Sequence, residues 1–186
     1  FFMLILCDRV NLKFIIECAA PFVRKIGDCW ESGELNISQE HFASEQLGDF
    51  LGAMWRRLQE RNDGPSCVLA SLPNEMHNLG LQMCAVVTAL TGRQIIFLGV
   101  NTPWEEIVST VQHCDASFLA VSVSSYYDPE NAQKHLDEIC SHLGSDFKVI
   151  VGGNGSIKIA PGIIQMNDFQ GYFDYLGSTN SRKENE

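Results

Sequence analysis

The pattern of apolar segments after the turn Asn62-Asp63-Gly64-Pro65 constrains the fold of this chain most strongly. Beyond this turn, apolar runs of strand length alternate with stretches of helical periodicity. Near-continuous apolar strands that alternate with helices are typical of a parallel sheet covered on both faces. The predicted strands are 67–71, 94–99, 117–123, 148–152 and a short 172–176, and the predicted helices are 79–91, 103–114, 129–143 and a weaker one after Ser156.

Five such units predict an α/β fold of the flavodoxin-like doubly wound type, with a five-stranded parallel sheet. In this strand order the ligand crevice lies at the carboxyl ends of strands one and three. Side chains that follow those strands are therefore the first candidates for a binding site.

The segment before the turn has helical character and predicts an N-terminal helical bundle. Residues 3–20 and 20–31 read as two helices, with Pro21 at a helix start, where its missing N–H costs nothing. Ser38 is the predicted N-cap of a long helix that runs to about Arg61. The predicted domains are a helical bundle at 1–62, an α/β domain at 66–178 and a frayed polar tail at 179–186.

Composition excludes several functional classes. The net charge of −10 argues against direct nucleic-acid binding, because neutralisation of phosphates needs a surface rich in lysine and arginine. The apolar start 1–7 is interrupted by Asp8 and Arg9, is too short to span a bilayer and lacks a signal-peptide cleavage site. Seven widely spaced cysteines without a Cys-x-x-Cys pair argue against zinc and iron–sulfur sites and fit a reducing cytoplasm.

Three segments are predicted to meet at the carboxyl edge of the sheet. They are the loop that holds His77, the run Ser122-Val123-Ser124-Ser125 after strand three, and Gly152-Gly153 after strand four. Each segment alone has an ordinary structural role, since loop histidines are usually surface residues and serines and glycines usually form turns. Together they predict a cleft with a metal ligand at its mouth. One histidine does not support a zinc site with three protein ligands, so a macrocycle would supply the rest.

Glu75-Met76-His77-Asn78-Leu79-Gly80 resembles the Asp/Glu-x-His-x-x-Gly signature of cobalamin-binding domains. In those domains the histidine replaces dimethylbenzimidazole as the lower cobalt ligand. The resemblance implies that His77 is the metal ligand, that Glu75 orients it, and that this segment also supplies the cofactor-binding residues Met76, Leu79 and Gly80. Glu75 departs from the usual aspartate by one methylene group.

The two other edge segments extend this resemblance over residues 66–156. Ser122-Val123-Ser124 stands where the family has Ser-x-Leu, and Gly152-Gly153 stands where it has Gly-Gly. The resemblance implies that these residues line the slot for the displaced nucleotide tail. Ser124 in place of leucine is expected to leave the slot roomier or more polar.

The helical segment is similar to that of the CarH-type photoreceptors, which are MerR-type repressors whose helical bundle caps an adenosylcobalamin. Trp30 followed by Glu40-His41 matches their Trp-x9-Glu-His pattern. The resemblance implies that the bundle covers the upper face of the corrin, with Trp30 on the adenosyl side and Glu40 and His41 flanking it. The structural alternatives are an aromatic in a bundle core and polar residues in the first turn of a helix.

One residue departs from the CarH-type pattern at a position that matters for the cobalt. In that type a histidine follows the tryptophan and can ligate cobalt after light breaks the carbon–cobalt bond, whereas this chain has Glu31. A carboxylate is a poorer match than imidazole for such a cobalt ion. We expect that His41 or water takes the open position.

Ser44, Gly48 and Gly52 recur every four residues on the predicted long helix. They form a groove poor in side chains, which can accept either a flat ring or a neighbouring helix.

The first functional hypothesis is a non-enzymatic cobalamin sensor that binds adenosylcobalamin, responds to light and regulates transcription. It would act through self-association or through an effector or DNA-binding domain outside this chain. The main alternative is a corrinoid methyl carrier of a methyltransferase system, which would hold methylcobalamin. A mutase subunit is disfavoured, because radical chemistry of that kind needs a barrel that the sequence does not encode.

Overall fold

Five parallel strands form the central sheet of the computed structural model, which describes residues 11–155, 157–158 and 160–180. The strands are β1 (Ser66–Ser71), β2 (Gln94–Gly99), β3 (Leu119–Ser122), β4 (Val149–Gly152) and β5 (Ile163–Met166). Their order in the sheet is β2-β1-β3-β4-β5, and all neighbouring pairs are parallel. This order confirms the predicted flavodoxin-like topology and places the switch point between β1 and β3.

The carboxyl ends of the three central strands lie level with one another. Ser71 at the end of β1 is in register with Ser122 at the end of β3, and Ser122 is in register with Gly152 at the end of β4. The loops that follow these strands therefore leave the sheet side by side.

Helices cover both faces of the sheet. Alternate residues of one strand belong to different cores, as the two-residue period of a strand requires: Leu69 lies in one buried cluster and Val68 in the other. The helices are a π-helix (Ile15–Ala19) followed directly by α1 (Ala20–Glu31), then α2 (Ile37–Gln59), α3 (Leu79–Leu90), α4 (Trp104–His113), α5 (Pro129–Leu143) and α6 (Phe169–Asn180). None of these helices is long and apolar enough to cross a membrane.

Two predictions for the last third of the chain are wrong. The predicted strand 172–176 lies within α6, where Tyr172 and Leu176 are one helical turn apart and both buried. The predicted helix after Ser156 is replaced by β5, which begins with Ile163 and Ile164. Short apolar runs do not distinguish strand from helix by their period, and here pairing with β4 makes the difference. Residue Ser156 itself lies outside the described residues.

The helical segment also differs from its prediction at two points. Helix α1 has the predicted bounds, with Pro21 in its first turn, but it is not separate from the preceding helix: the π-helix continues into α1, with the N–H of Ala20 donating to the carbonyl of Ile15. Proline lacks the N–H that would donate to the helical ladder, and the π-turn lies directly before it in the chain. The predicted helix over 3–20 is described only from residue 11.

The N-cap of α2 is Asn36 rather than Ser38. The side chain of Asn36 accepts from the N–H of Gln39 at 3.0 Å, and the Gln39 side chain accepts from the N–H of Asn36 at 3.0 Å. These reciprocal bonds form a capping box, with glutamine in the position that glutamate often takes.

Helix α2 lies along α3 and so places the helical segment beside the carboxyl edge of the sheet. A Cβ atom on Gly48 would lie 3.7 Å from a methyl group of Leu79, so the groove predicted on this helix faces α3 there. The indole N–H of the buried Trp55 donates to the Gln82 side chain at 2.7 Å. We call the segment 11–59 the helical cap.

Candidate functional site

A cavity of about 1470 Å³ lies between the helical cap and the carboxyl edge of the sheet. Pockets for small ligands usually measure roughly 300–1,000 Å³, so this cavity suits a larger one. Twelve of the thirteen predicted site residues line it: Trp30, Glu40, His41, Met76, His77, Leu79, Gly80, Ser122, Val123, Ser124, Gly152 and Gly153. The remaining one, Glu75, lies behind His77.

The carboxylate of Glu75 is buried, and its hydrogen-bond partners are His77 and Ser124. One oxygen accepts from the backbone N–H of His77 at 2.9 Å and lies 2.6 Å from the Nδ1 atom of the same residue. The other oxygen accepts from the backbone N–H of Ser124 at 2.8 Å. Burial acts to raise the pKa of Glu75, but the hydrogen bonds from His77 and Ser124 outweigh it and lower the pKa to about 2.

These contacts hold the imidazole of His77 in one orientation. Its Nδ1 atom faces Glu75 and also lies 3.0 Å from the hydroxyl of Ser124, while the side chain stays 56% exposed at the cavity. The hydrogen bond with Glu75 raises the pKa of His77 against the opposing effect of burial. With Nδ1 engaged, Nε2 is the nitrogen left for a metal, which is the usual carboxylate–histidine arrangement.

The loop that carries Glu75 is supported by a residue that the sequence reasoning missed. Asn101, after β2, accepts from the N–H of Asn74 at 2.8 Å through its side chain and donates its own N–H to the carbonyl of Glu75 at 3.0 Å. Both asparagines have positive φ angles, 66° for Asn74 and 52° for Asn101. Asparagine adopts positive φ angles more readily than most residues. An asparagine shortly after a predicted strand is therefore the sequence signal that could have indicated these supporting turns.

The glycines after β4 are required by close backbone approach. At Gly153, where φ is +102°, a Cβ atom would lie 2.1 Å from the carbonyl oxygen of Val123, and at Gly155 it would lie 2.4 Å from the Val123 side chain. The N–H of Gly155 donates to the carbonyl of Val123 at 3.0 Å. The loop after β4 thus packs closely on the loop after β3, and Gly152 and Gly153 add no side chains to the adjoining edge of the cavity.

The start of α3 makes a similar close approach to β3. A Cβ atom on Gly80 would lie 3.0 Å from the hydroxyl of Ser122. Gly80 and Ser122 therefore bring the first turn of α3 close to the end of β3, beside the glycine pair.

On the opposite side of the cavity, the helical cap presents a polar pair and an indole. The Glu40 carboxylate lies 2.6 Å from Nδ1 of His41 and accepts from the hydroxyl of Ser44 at 2.6 Å. The Ser44 hydrogen bond chiefly lowers the pKa of Glu40, and the charges of His41 and His77 act in the same direction. Trp30 is 45% exposed, so it is not an aromatic of the bundle core.

A second contact that the sequence reasoning missed crosses from the sheet to the helical cap. The ring of Tyr126, after β3, stacks on the imidazole of His77 with ring centroids 5.3 Å apart. Its hydroxyl donates to the carboxylate of Glu31 at the end of α1. The two residues are distant in sequence, and no local pattern indicates that they meet.

The donor set fits a metal that brings its own macrocycle. Among the described residues there is no group of three or more His, Cys, Asp and Glu side chains that could hold a metal ion. A single oriented imidazole, a cavity larger than an ordinary pocket and the glycine pair at its edge fit a large flat cofactor with one open axial position. Cobalamin has these requirements.

The family of the chain follows from its sequence as well as from this geometry. The B12 binding domain family matches residues 65–169, and the chain belongs to that family. It is thus a cobalamin-binding domain with a helical segment in front of it.

Two curated relatives carry a matching region. The chain is 29% identical over 144 residues to the HTH-type transcriptional repressor CarH of Myxococcus xanthus, covering 76% of this chain and 47% of the repressor. It is 24% identical over 136 residues to the HTH-type transcriptional repressor CarA of the same organism, covering 73% and 45%. The chain spans about half the length of the curated relatives it matches.

A solved structure shares the fold. The monomethylamine corrinoid protein of Methanosarcina barkeri superimposes with a TM-score of 0.69 and 14% sequence identity, covering 91% of this chain and 84% of that one. At this identity the likeness shows the fold, a helical region followed by a five-stranded α/β domain.

Proposed function

We propose that this chain is a non-enzymatic cobalamin sensor. Cobalamin would bind in the base-off form, with its dimethylbenzimidazole displaced and His77 as the lower ligand of the cobalt. The observation that carries the proposal is the hydrogen-bonded pair of Glu75 and His77 at a cavity of about 1470 Å³. Bound cobalamin would supply a cobalt ion with a labile upper carbon–cobalt bond. In this arrangement Glu75 and Ser124 orient the imidazole, and His77 offers Nε2 to the metal.

The edge of the cavity beside His77 is the proposed place of the displaced nucleotide tail. One wall is formed by Gly80 and Ser122, which lie close together. The other is formed by Gly153 and Val123, whose backbones are in close contact. Leu79 and Met76 would contact the corrin beside this slot, since both line the same cavity. A side chain at Gly153 would collide with the Val123 backbone and displace this wall of the slot.

The helical cap supports adenosylcobalamin as the natural form. Trp30 offers an exposed indole to a nucleoside base, and the Glu40–His41 pair offers hydrogen-bonding groups to a ribose. The curated relatives are named as transcriptional repressors, which agrees with a regulatory role. We propose that light breaks the carbon–cobalt bond and that the helical cap then shifts relative to the sheet, as a two-state element biased by its ligand.

We further propose a cytoplasmic protein whose output passes through self-association or through another domain, including a DNA-binding domain. The net charge of −10 supports an indirect rather than direct role at nucleic acid.

The test is reconstitution with hydroxocobalamin and adenosylcobalamin. The variant His77→Ala should bind at least tenfold more weakly, and the residual complex should show a different visible spectrum, because the imidazole ligand is gone. His113→Ala, an exposed histidine on α4, is the matched control and should behave like the wild type. Unchanged affinity and spectrum in His77→Ala would refute the ligand assignment.

The corrinoid methyl carrier stays a second candidate, because the monomethylamine corrinoid protein shares the fold. A methyl carrier would bind methylcobalamin, show no change of elution volume after brief green light and transfer its methyl group to a partner enzyme. Those three observations together would replace the sensor hypothesis.

A further inference from the structure

Tyr126 contacts both sides of the cavity. Its ring lies on the imidazole of His77, with centroids 5.3 Å apart and planes inclined by 19°. Its hydroxyl donates to the carboxylate of Glu31, the last residue of α1. One side chain therefore joins the proposed cobalt ligand to the helical cap.

The position of Glu31 is not explained by the stability of its own helix. A carboxylate at a helix C-terminus faces the negative end of the helix dipole, and α1 has no basic residue in its last turn. The phenol of Tyr126 supplies a hydrogen-bond donor to this charge. A phenol is protonated and a donor at neutral pH, and the bond to Glu31 raises the pKa of Tyr126 further.

The position of Tyr126 is not explained by core packing either. Its side chain is 58% exposed, unlike the neighbouring Tyr127, which is 9% exposed and donates to the carbonyl of Pro73. An aromatic side chain this exposed gains little from burial, and it is ordered by the two contacts at its ends. Those contacts are what Tyr126 contributes to the structure.

We propose that Tyr126 is a positioning residue through which Glu31 couples the helical cap to His77. This inference rests on the function proposed above. When the end of α1 moves, the phenol either follows it and shifts on the imidazole, or it loses the bond to Glu31 and keeps only the ring contact with His77. A cobalt ion on His77 would in turn hold the imidazole, the stacked phenol and the end of α1 together.

The first measurement uses the cofactor-free protein and needs no cobalamin. Hydrogen–deuterium exchange is followed in peptides that cover residues 28–36, at the end of α1, in the wild type, Tyr126→Phe and Glu31→Ala. Both variants lose the same bond, so exchange in this region should increase in both. The increase should be smaller in Glu31→Ala, which also removes the unfavourable interaction of the carboxylate with the helix dipole. Tyr127→Phe, which removes a hydroxyl bonded elsewhere, is the matched control and should leave these peptides unchanged. Unchanged exchange in Tyr126→Phe and Glu31→Ala overturns the proposal.

The second measurement is a double-mutant cycle on the dissociation rate of hydroxocobalamin. Tyr126→Phe and Glu31→Ala should each accelerate dissociation roughly threefold, as expected for one exposed hydrogen bond to a charged group. The double variant should be no faster than either single variant, because both changes delete one bond. Glu34→Ala, another carboxylate near the end of α1, should combine additively with Tyr126→Phe.

The outcomes separate this inference from the proposed function. A wild type that binds no cobalamin refutes the proposed function, and with it the coupling. A wild type that binds normally, with additive effects of Tyr126→Phe and Glu31→Ala, refutes the coupling alone. Circular dichroism of each variant verifies folding, and if Tyr126→Phe fails to fold, the exchange of Glu31→Ala decides the question.

Discussion

Glu75 carries a negative charge where water has almost no access, since only 1% of the residue is exposed. Such a charge is stable only with several hydrogen bonds, and two backbone N–H groups and the imidazole of His77 supply them. Ser124 contributes more than its predicted place in the nucleotide slot, because its N–H and its hydroxyl both contact the Glu75–His77 pair. A leucine at this position would keep the N–H but lose the hydroxyl.

Glu75→Gln tests this charge through the pH dependence of folding. The pKa of Glu75 is lowered to about 2, so its contribution is present above its ordinary pKa near 4.5 and is lost as the pH falls toward 2. At pH 7 the cofactor-free variant should be less stable than the wild type by about 2 kcal/mol, the cost of weakening hydrogen bonds to a buried charge. Urea unfolding between pH 2 and pH 7 measures the difference, and a difference independent of pH would contradict the assignment.

Asn101 offers a second test at single-residue scale. Asn101→Ala removes the acceptor for Asn74 and also strains a backbone with φ of 52°, so we expect a loss of about 2 kcal/mol in stability. Asn101→Gly keeps the backbone relaxed but lacks the acceptor, and Asn101→Asp keeps both features. Urea unfolding should rank stability as Asp above Gly and Gly above Ala. Any ranking with alanine above aspartate would show that Asn101 does not support the loop.

At the scale of elements, local sequence patterns predicted the sheet and the motifs well. The strand order follows from apolar runs, and nine of the twelve predicted residues that line the cavity follow from short signals next to strand ends. The other three follow from the resemblance to the CarH-type pattern: Trp30, Glu40 and His41. Contacts between distant segments could not be predicted in this way. Tyr126 meets Glu31 across 95 positions and Asn101 meets Asn74 across 27, and nothing in either local sequence specifies the partner. The wrong predictions after Ser156 have the same cause. The segment of β5 becomes a strand because it pairs with β4, and this is a contact between separate segments that its own sequence does not specify.

The packing of the loop after β4 on the loop after β3 can be tested with Gly153→Ala. The added methyl group would lie 2.1 Å from the carbonyl oxygen of Val123, and φ at this position is +102°. We expect a loss of at least about 2 kcal/mol in the free energy of unfolding and weaker cobalamin binding. Gly177→Ala is the control, because a Cβ atom there has nothing within 4 Å, and it should be neutral or slightly stabilising. Equal stability of both variants would contradict the close packing.

At the scale of the whole molecule, the site is formed by two parts of the chain that are separate in sequence. The helical cap contributes Trp30, Glu40 and His41. The loops at the carboxyl edge of the sheet contribute the imidazole of His77 and the glycine pair Gly152-Gly153. A ligand between them contacts both parts, so a change at its upper face can alter how they pack. The α2–α3 contact and the Tyr126–Glu31 bond are two of the connections between these parts that such a change would act on.

Illumination of the protein loaded with adenosylcobalamin tests this arrangement. Green light should change the visible spectrum and the elution volume in gel filtration, because loss of the adenosyl group frees the helical cap to move. Since Glu31 replaces the histidine of the CarH-type pattern, the illuminated wild type should have His41 or water on the upper side. A bis-imidazole spectrum that persists in His41→Ala would exclude this. Protein loaded with hydroxocobalamin is the control and should not respond to light.

The level ends of β1, β3 and β4 have a practical consequence for protein engineering. Ser71, Ser122 and Gly152 share one register, and the three site loops start from this common line. A transplant of the site into another parallel sheet would need three neighbouring strands that stop at the same height. Loops of identical sequence grafted onto strands that are staggered by even one residue would present their side chains from opposite faces. Matched strand lengths would then be a condition for cofactor binding in addition to the loop sequence.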